Sequence, residues 1–135
     1  MKITICCSIK FFDEVLQIKQ KLEQSGHEVF MPIKVPGVDY WSVDGTSRIE
    51  AKKSLGLIGE HMNKIEKSDA ILVVNYSKGD IENYIGANTF IEMGFAHYTG
   101  KKIFILNTLP DQKYIHDELV SFDATILNGD LENIK

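Results

Sequence analysis

Residues Asp69 to Asn75 read D-A-I-L-V-V-N. Ala70 to Val74 are all apolar, so the segment has no side for water. A strand with one wet face alternates apolar and polar residues, whereas a strand covered on both faces does not. The run is also short and β-branched, which favours a strand over a buried helix. Its reading as a doubly covered strand predicts a parallel sheet with helices on both sides.

Outward from that strand the pattern alternates. Leu55, Ile58, Met62 and Ile65 recur on one face of a helix just before it, and Gly56 and Gly59 weaken the first half of that helix enough to allow a break there. Lys2 to Cys7 reads as a first strand. Phe11, Val15, Ile18 and Leu22 mark a helix that Gly26 stops, and His27 to Met31 is a short second strand ending at Pro32. From Pro32 to about Thr46 there is no periodicity, and so long a loop is expected to be functional. Beyond the central strand come a polar loop from Tyr76 to Ala87, a helix from Asn88 to Tyr98 closed by Gly100, and a strand from Lys102 to Leu106. A short helix near Tyr114 to Val120 and a strand near Ala124 to Leu127 complete five strands in one domain spanning 1–135.

Composition limits the partners. The chain has 135 residues, enough to bury about two-thirds of its unfolded surface without disulfide or metal. Its net charge of −4 argues against nucleic acid, which needs clustered Lys and Arg, but leaves room for one small phosphorylated ligand. No signal peptide and no apolar run long enough for a membrane span are present, so a cytoplasmic protein without a membrane partner is expected. Cys6 and Cys7 are adjacent in a strand and face opposite ways, so they are expected as free thiols; no zinc spacing occurs and no metal or other cofactor is implied.

In parallel sheets ligands bind beyond the carboxyl ends of the strands. That rule selects the turn Cys6-Cys7-Ser8-Ile9-Lys10, the loop after Asn75, and Asn107 onward. At the first, backbone N–H groups from Ser8 to Phe11 and the Lys10 cation suit a phosphate; Ser8 as a helix cap is the plainer alternative. Gly86 to Ala96 (G-A-N-T-F-I-E-M-G-F-A) places Glu92 within the first turns of a helix, where the dipole favours the carboxylate a nucleophile requires. Thr89 and Glu92 also fit a capping box. His61 can titrate near neutrality as a proton donor, or be a plain helix residue. Tyr40 and Trp41 either stack on a base or pack the loop onto the body.

Taken in order, these segments resemble the nucleoside 2-deoxyribosyltransferase superfamily, including deoxynucleoside 5′-monophosphate N-hydrolases. The resemblance covers roughly residues 1–107 and is carried by Cys6-Cys7-Ser8-Ile9-Lys10, by Ser68-Asp69-Ala70-Ile71-Leu72-Val73-Val74, and by Gly86 to Ala96 followed by Gly100-Lys101-Lys102-Ile103. It implies a flavodoxin- or Rossmann-like three-layer sandwich with a mostly parallel five-stranded sheet. It also implies cleavage or transfer of an N-glycosidic bond with Glu92 as nucleophile, and a homodimer or larger. His61 stands eight residues before Asp69, where the family has an aspartate that holds or protonates the base. The substrate-binding set so implied is Cys7, Ser8, Ile9, Lys10, Asp69, Asn75, Gly86, Asn88 and Thr89. The alternative is a nucleotide-sensing module on the same fold without the chemistry.

Overall fold

A computed structural model describes residues 1–135. Five strands, β1 (Lys2–Cys6), β2 (Glu28–Phe30), β3 (Ala70–Val73), β4 (Lys102–Ile105) and β5 (Thr125–Ile126), form one sheet in the order β2-β1-β3-β4-β5. Every neighbouring pair is parallel, with Ile3 opposite Ala70 and Cys6 opposite Val73 in the central pair. The sheet is that of the flavodoxin-like doubly wound folds, as expected.

The alternation of β1 sorts the core into two layers. Ile3, Ile5 and Cys7 point to one face, where α1 (Phe12–Gln24) packs Val15, Ile18 and Leu22 against them. Cys6 points to the other, with Ile71, Val73, Ile103 and Ile105 from β3 and β4. That second face is covered by α3 (Leu57–Glu66) through Ile65, by α4 (Ala87–Tyr98) through Met93 and Ala96, and by α5 (His116–Ser121) through Leu119. Each fully buried Leu or Ile contributes about 1.5–3 kcal/mol over exposure, so these contacts, rather than helix propensity, hold the layers. Both thiols are buried and free, on opposite faces. No helix is long and apolar enough to cross a membrane.

One expected element divides in two. The helix expected after about Thr46, with a break allowed at its glycines, is α2 (Thr46–Ser54) followed by α3, with Gly56 between them at φ 57, a left-handed conformation. Leu55 and Ile58 are accordingly exposed, and His61 and Ile65 form the inward side of α3. The Pro32–Thr46 loop therefore ends in a helix start, where the Asp44 carboxylate accepts the Thr46 N–H at 3.0 Å. Trp41 does not pack onto the body and is 71% exposed.

Candidate active site

Strand order reverses between β1 and β3, and at the carboxyl ends of such strands a crevice forms. A cavity of about 270 Å³ occupies it. The turn after β1 supplies Cys7, Ser8, Ile9 and Lys10; the start of α4 supplies Gly86, Asn88, Thr89 and Glu92; α3 supplies His61. Nine of the eleven residues expected in the site thus line one cavity.

The other two do not. Asp69 lies at the opposite end of the sheet, where its carboxylate accepts the Lys2 N–H at 2.7 Å and so ties β3 to β1. Asn75 is buried just outside the cavity and fastens two loops together. Its side-chain Oδ1 accepts the Asn107 N–H at 2.9 Å, and its side-chain Nδ2 donates to the Thr108 carbonyl at 3.0 Å. The Ser8, Asn75 and Asn107 ends nevertheless share one edge of the sheet, as the alternating pattern requires.

At the cavity floor His61 meets Glu92, with the Cys6 thiol behind them. His61 Nε2 is 3.7 Å from Glu92 Oε2 and 3.7 Å from Cys6 Sγ. Asn88 Nδ2 donates to Glu92 Oε1 at 3.3 Å, whereas Glu92 Oε2 and His61 Nδ1 are buried with no hydrogen-bond partner. Burial disfavours charge on both groups. It pushes the Glu92 carboxyl up to about 7, against the lowering effects of Cys6 and Lys52. Burial, followed by the Lys64 charge, pulls the His61 imidazole down to about 4.

Four local expectations are overturned here. The helix cap of α4 is Gly86, so Thr89 and Glu92 sit inside the helix and form no capping box. Glu92 is in the second turn, beyond the reach of the dipole, and desolvation governs its proton. His61, for its part, does not titrate near neutrality. At the other wall Ser8 makes no capping hydrogen bond either, and its carbonyl accepts the Phe11 N–H at 3.0 Å, which removes that donor from a phosphate.

The rim is positive. Lys10, Arg48, Lys52 and Lys78 line the cavity, and none of them pairs with a carboxylate. Lys10 lies 5.2 Å from the ring centre of Trp41 and Lys78 lies 5.0 Å from that of Tyr84. Partial burial, then Lys78 and Arg48, pull the Lys10 ammonium below the usual lysine range. Arg48 is fixed by the Asp39 and Ser42 carbonyls, which accept from it at 3.2 and 2.6 Å. A Cβ on Gly86 would come within 3.3 Å of Tyr84, so glycine there lets that ring lie against the backbone. Gln112 clamps the segment before α4, accepting from the Ile85 N–H at 2.8 Å and donating to its carbonyl at 2.9 Å. Arg48, Lys52, Lys78, Tyr84 and Gln112 escaped sequence reasoning; the four-residue spacing of Arg48 and Lys52 was the available signal, once α2 is known to be a helix.

No protein-family profile and no curated protein matches the sequence. Two solved structures share the fold. One is a 2-deoxyribosyltransferase from Bacillus psychrosaccharolyticus, at 22% identity and TM-score 0.55, covering 87% of this chain and 81% of that one. The other is a CMP N-glycosidase from Clostridium botulinum, at 19% identity and TM-score 0.50, covering 93% of this chain and 85% of that one. At such identities the shared property is the fold, and it is the fold that the sequence resemblance implied.

Proposed function

We propose that this chain belongs to the nucleoside 2-deoxyribosyltransferase superfamily and cleaves or transfers the N-glycosidic bond of a nucleoside 5′-monophosphate. One observation carries this reading. Glu92 presents an unpartnered carboxylate oxygen at the floor of a cavity rimmed by four unpaired cations. The floor suits attack on a sugar carbon, and the rim suits a phosphate dianion over an uncharged nucleoside. The fold shared with a 2-deoxyribosyltransferase and a CMP N-glycosidase supports the same class.

In the proposed reaction Glu92 Oε2 bonds to the anomeric carbon, and the carbon–nitrogen bond breaks with its electron pair on the base. Water or a second base then displaces the glutamate, as in a retaining glycosidase. His61 is neutral at pH 7, so it donates a hydrogen bond to carboxylate or base, and water supplies the proton the base takes up. Asn88 holds the other carboxylate oxygen in place. Exposed apolar side chains on three helices (Ile49, Ile58 and Ile91) and at the end of one (Leu55) support a homodimer as part of this reading; light scattering giving a monomer would remove that part.

The sensing module is kept as the second reading, because burial leaves Glu92 half protonated and His61 uncharged at neutral pH, a resting state adverse to turnover. A chromatographic screen of nucleosides and monophosphates for free base decides between them. Base release from a monophosphate supports the enzyme. Nucleotide binding without release from any substrate leaves the sensor.

A further inference from the structure

The glycosidic reading makes no use of the thiol behind the cavity floor. Cys6 is fully buried on β1, and its Sγ, one imidazole nitrogen of His61 and a carboxylate oxygen of Glu92 all lie within 4.8 Å of one another. Sulfur, nitrogen and oxygen of these types are the donors of tetrahedral zinc sites, whose bond lengths place donors about 3.3–3.6 Å apart. Two of the separations here are 3.7 Å. The third pair, thiol and carboxylate, lies within 4.8 Å and closes by at most about 1.2 Å, which a carboxylate turning about its last side-chain bond can supply. Glu92 Oε2, 95% buried as a residue and without a hydrogen-bond partner, has its lone pairs free.

We propose that Cys6, His61 and Glu92 bind one zinc ion, or a similar thiophilic divalent cation, with the fourth coordination position open to the cavity. A thiolate, a carboxylate and a neutral imidazole sum to two negative charges, so the bound ion is neutralised inside the protein. Binding releases the thiol proton of Cys6, and that of Glu92 where present, to solvent, and nothing is oxidised or reduced. Three protein ligands with one open position are the arrangement of an accessible site rather than a closed structural one. A metal on Glu92 Oε2 removes the lone pair that would attack a sugar, so the ion acts as an inhibitor. That consequence rests on the proposed role of Glu92, whereas the binding does not.

The test is a cobalt(II) titration of chelator-washed protein. One equivalent is expected to give a sulfur-to-cobalt charge-transfer band and the visible bands of four-coordinate cobalt, both erased by zinc. Cys6→Ala and Cys6→Ser, checked for folding by circular dichroism, should lose the sulfur band, and Cys7→Ser should keep it. Zinc affinity of Cys6→Ala should fall at least the ~100-fold that losing an outer-shell partner can cost. His61→Asn retains the thiol and should weaken zinc comparably, a second reading if the Cys6 variants misfold. Absence of a sulfur band in the wild type, its survival in Cys6→Ala, or its loss in Cys7→Ser overturns the site. If a substrate is turned over, zinc should block base release in the wild type and not in Cys6→Ala; with no turnover, the spectra alone decide the binding.

Discussion

His61 Nε2 and Glu92 Oε2 face each other at the cavity floor, and one burial shifts their proton affinities in opposite directions. Their side chains are 3.7 Å apart at the cavity floor, with the imidazole lowered to about 4 and the carboxyl raised to about 7 by the same burial. The pair is therefore uncharged through mildly acidic pH, and it becomes an anion opposite a neutral imidazole only above about 7.

Removing that anion should stop the chemistry and spare the fold. Glu92→Gln keeps an oxygen for Asn88 to donate to, and base release should fall by about a thousandfold or more. Thermal melting at pH 8 should show the variant at least as stable as the wild type, since an ionised buried carboxyl has been replaced by a neutral amide. Unchanged turnover would place the nucleophile elsewhere.

Stability of the metal-free wild type should be nearly flat between about pH 4.5 and 6.5. The unfolded chain carries the proton on His61 there, and the folded chain carries it on Glu92, so the two states bind equal numbers. Single variants expose each half. In His61→Ala the raised carboxyl remains, and its stability contribution is lost as pH rises from about 4.5 towards 7. In Glu92→Gln the lowered imidazole remains, and stability is lost as pH falls from about 6.5 towards 4. Each slope approaches about 1 kcal/mol per pH unit. Parallel urea-denaturation series at several pH values would read them, and slopes of the same sign in both variants would refute the opposed shifts.

The rate should carry the same signature. For the free, metal-free enzyme kcat/KM should rise with pH through an apparent value near 7 as Glu92 ionises. His61→Asp puts a second carboxylate beside the first, and like charges raise each other's proton affinity. The rising limb should move to higher pH. A limb that stays in place would show that residue 61 does not face the reacting carboxylate.

The cationic rim should discriminate by charge. Lys10→Ala should raise KM for a nucleoside 5′-monophosphate about tenfold and leave an unphosphorylated nucleoside nearly unaffected, since a charge-assisted contact is worth about 1.5 kcal/mol or more. Equal losses for both ligands would move the phosphate away from Lys10.

Asn75 should matter for stability alone. Asn75→Ala removes the partner of the Asn107 N–H and of the Thr108 carbonyl, both part-buried bonds, and should cost about 1–2 kcal/mol in chemical denaturation. An effect under about 0.5 kcal/mol would mean that water replaces these bonds.

The fold was legible because it is written in apolar periodicity. The doubly buried Ala70–Val74 run and the Val15, Ile18, Leu22 stripe survive in the structure with their ends moved by a residue or two. α2 was not read as a helix of its own because it buries only Ala51, so no periodic stripe separates it from α3. With α2 went Arg48 and Lys52, half of the cationic rim. Glu92 and His61 were found, but their proton states were not: Glu92 looked like a dipole-stabilised carboxylate, and only the packing of α3 against α4 shows that desolvation outweighs the dipole. Asp69 was misplaced for a different reason. A motif residue at a strand's start and one at its end are close in sequence, yet they stand at opposite ends of the sheet.

The all-parallel order has a temporal side. Lys2 and Asp69, joined by a hydrogen bond across the central strand pair, are 67 residues apart, and no strand has a hairpin neighbour. Each pairing must close a long loop before it returns any contact, which slows folding. During synthesis the first strand emerges long before its central partner and waits with only the short β2 beside it. Cys6, His61 and Glu92 come from three segments on both sides of that delay. The nascent chain therefore has no complete pocket until most of it has left the ribosome, and the pocket should be among the last features to appear in refolding followed by ligand binding.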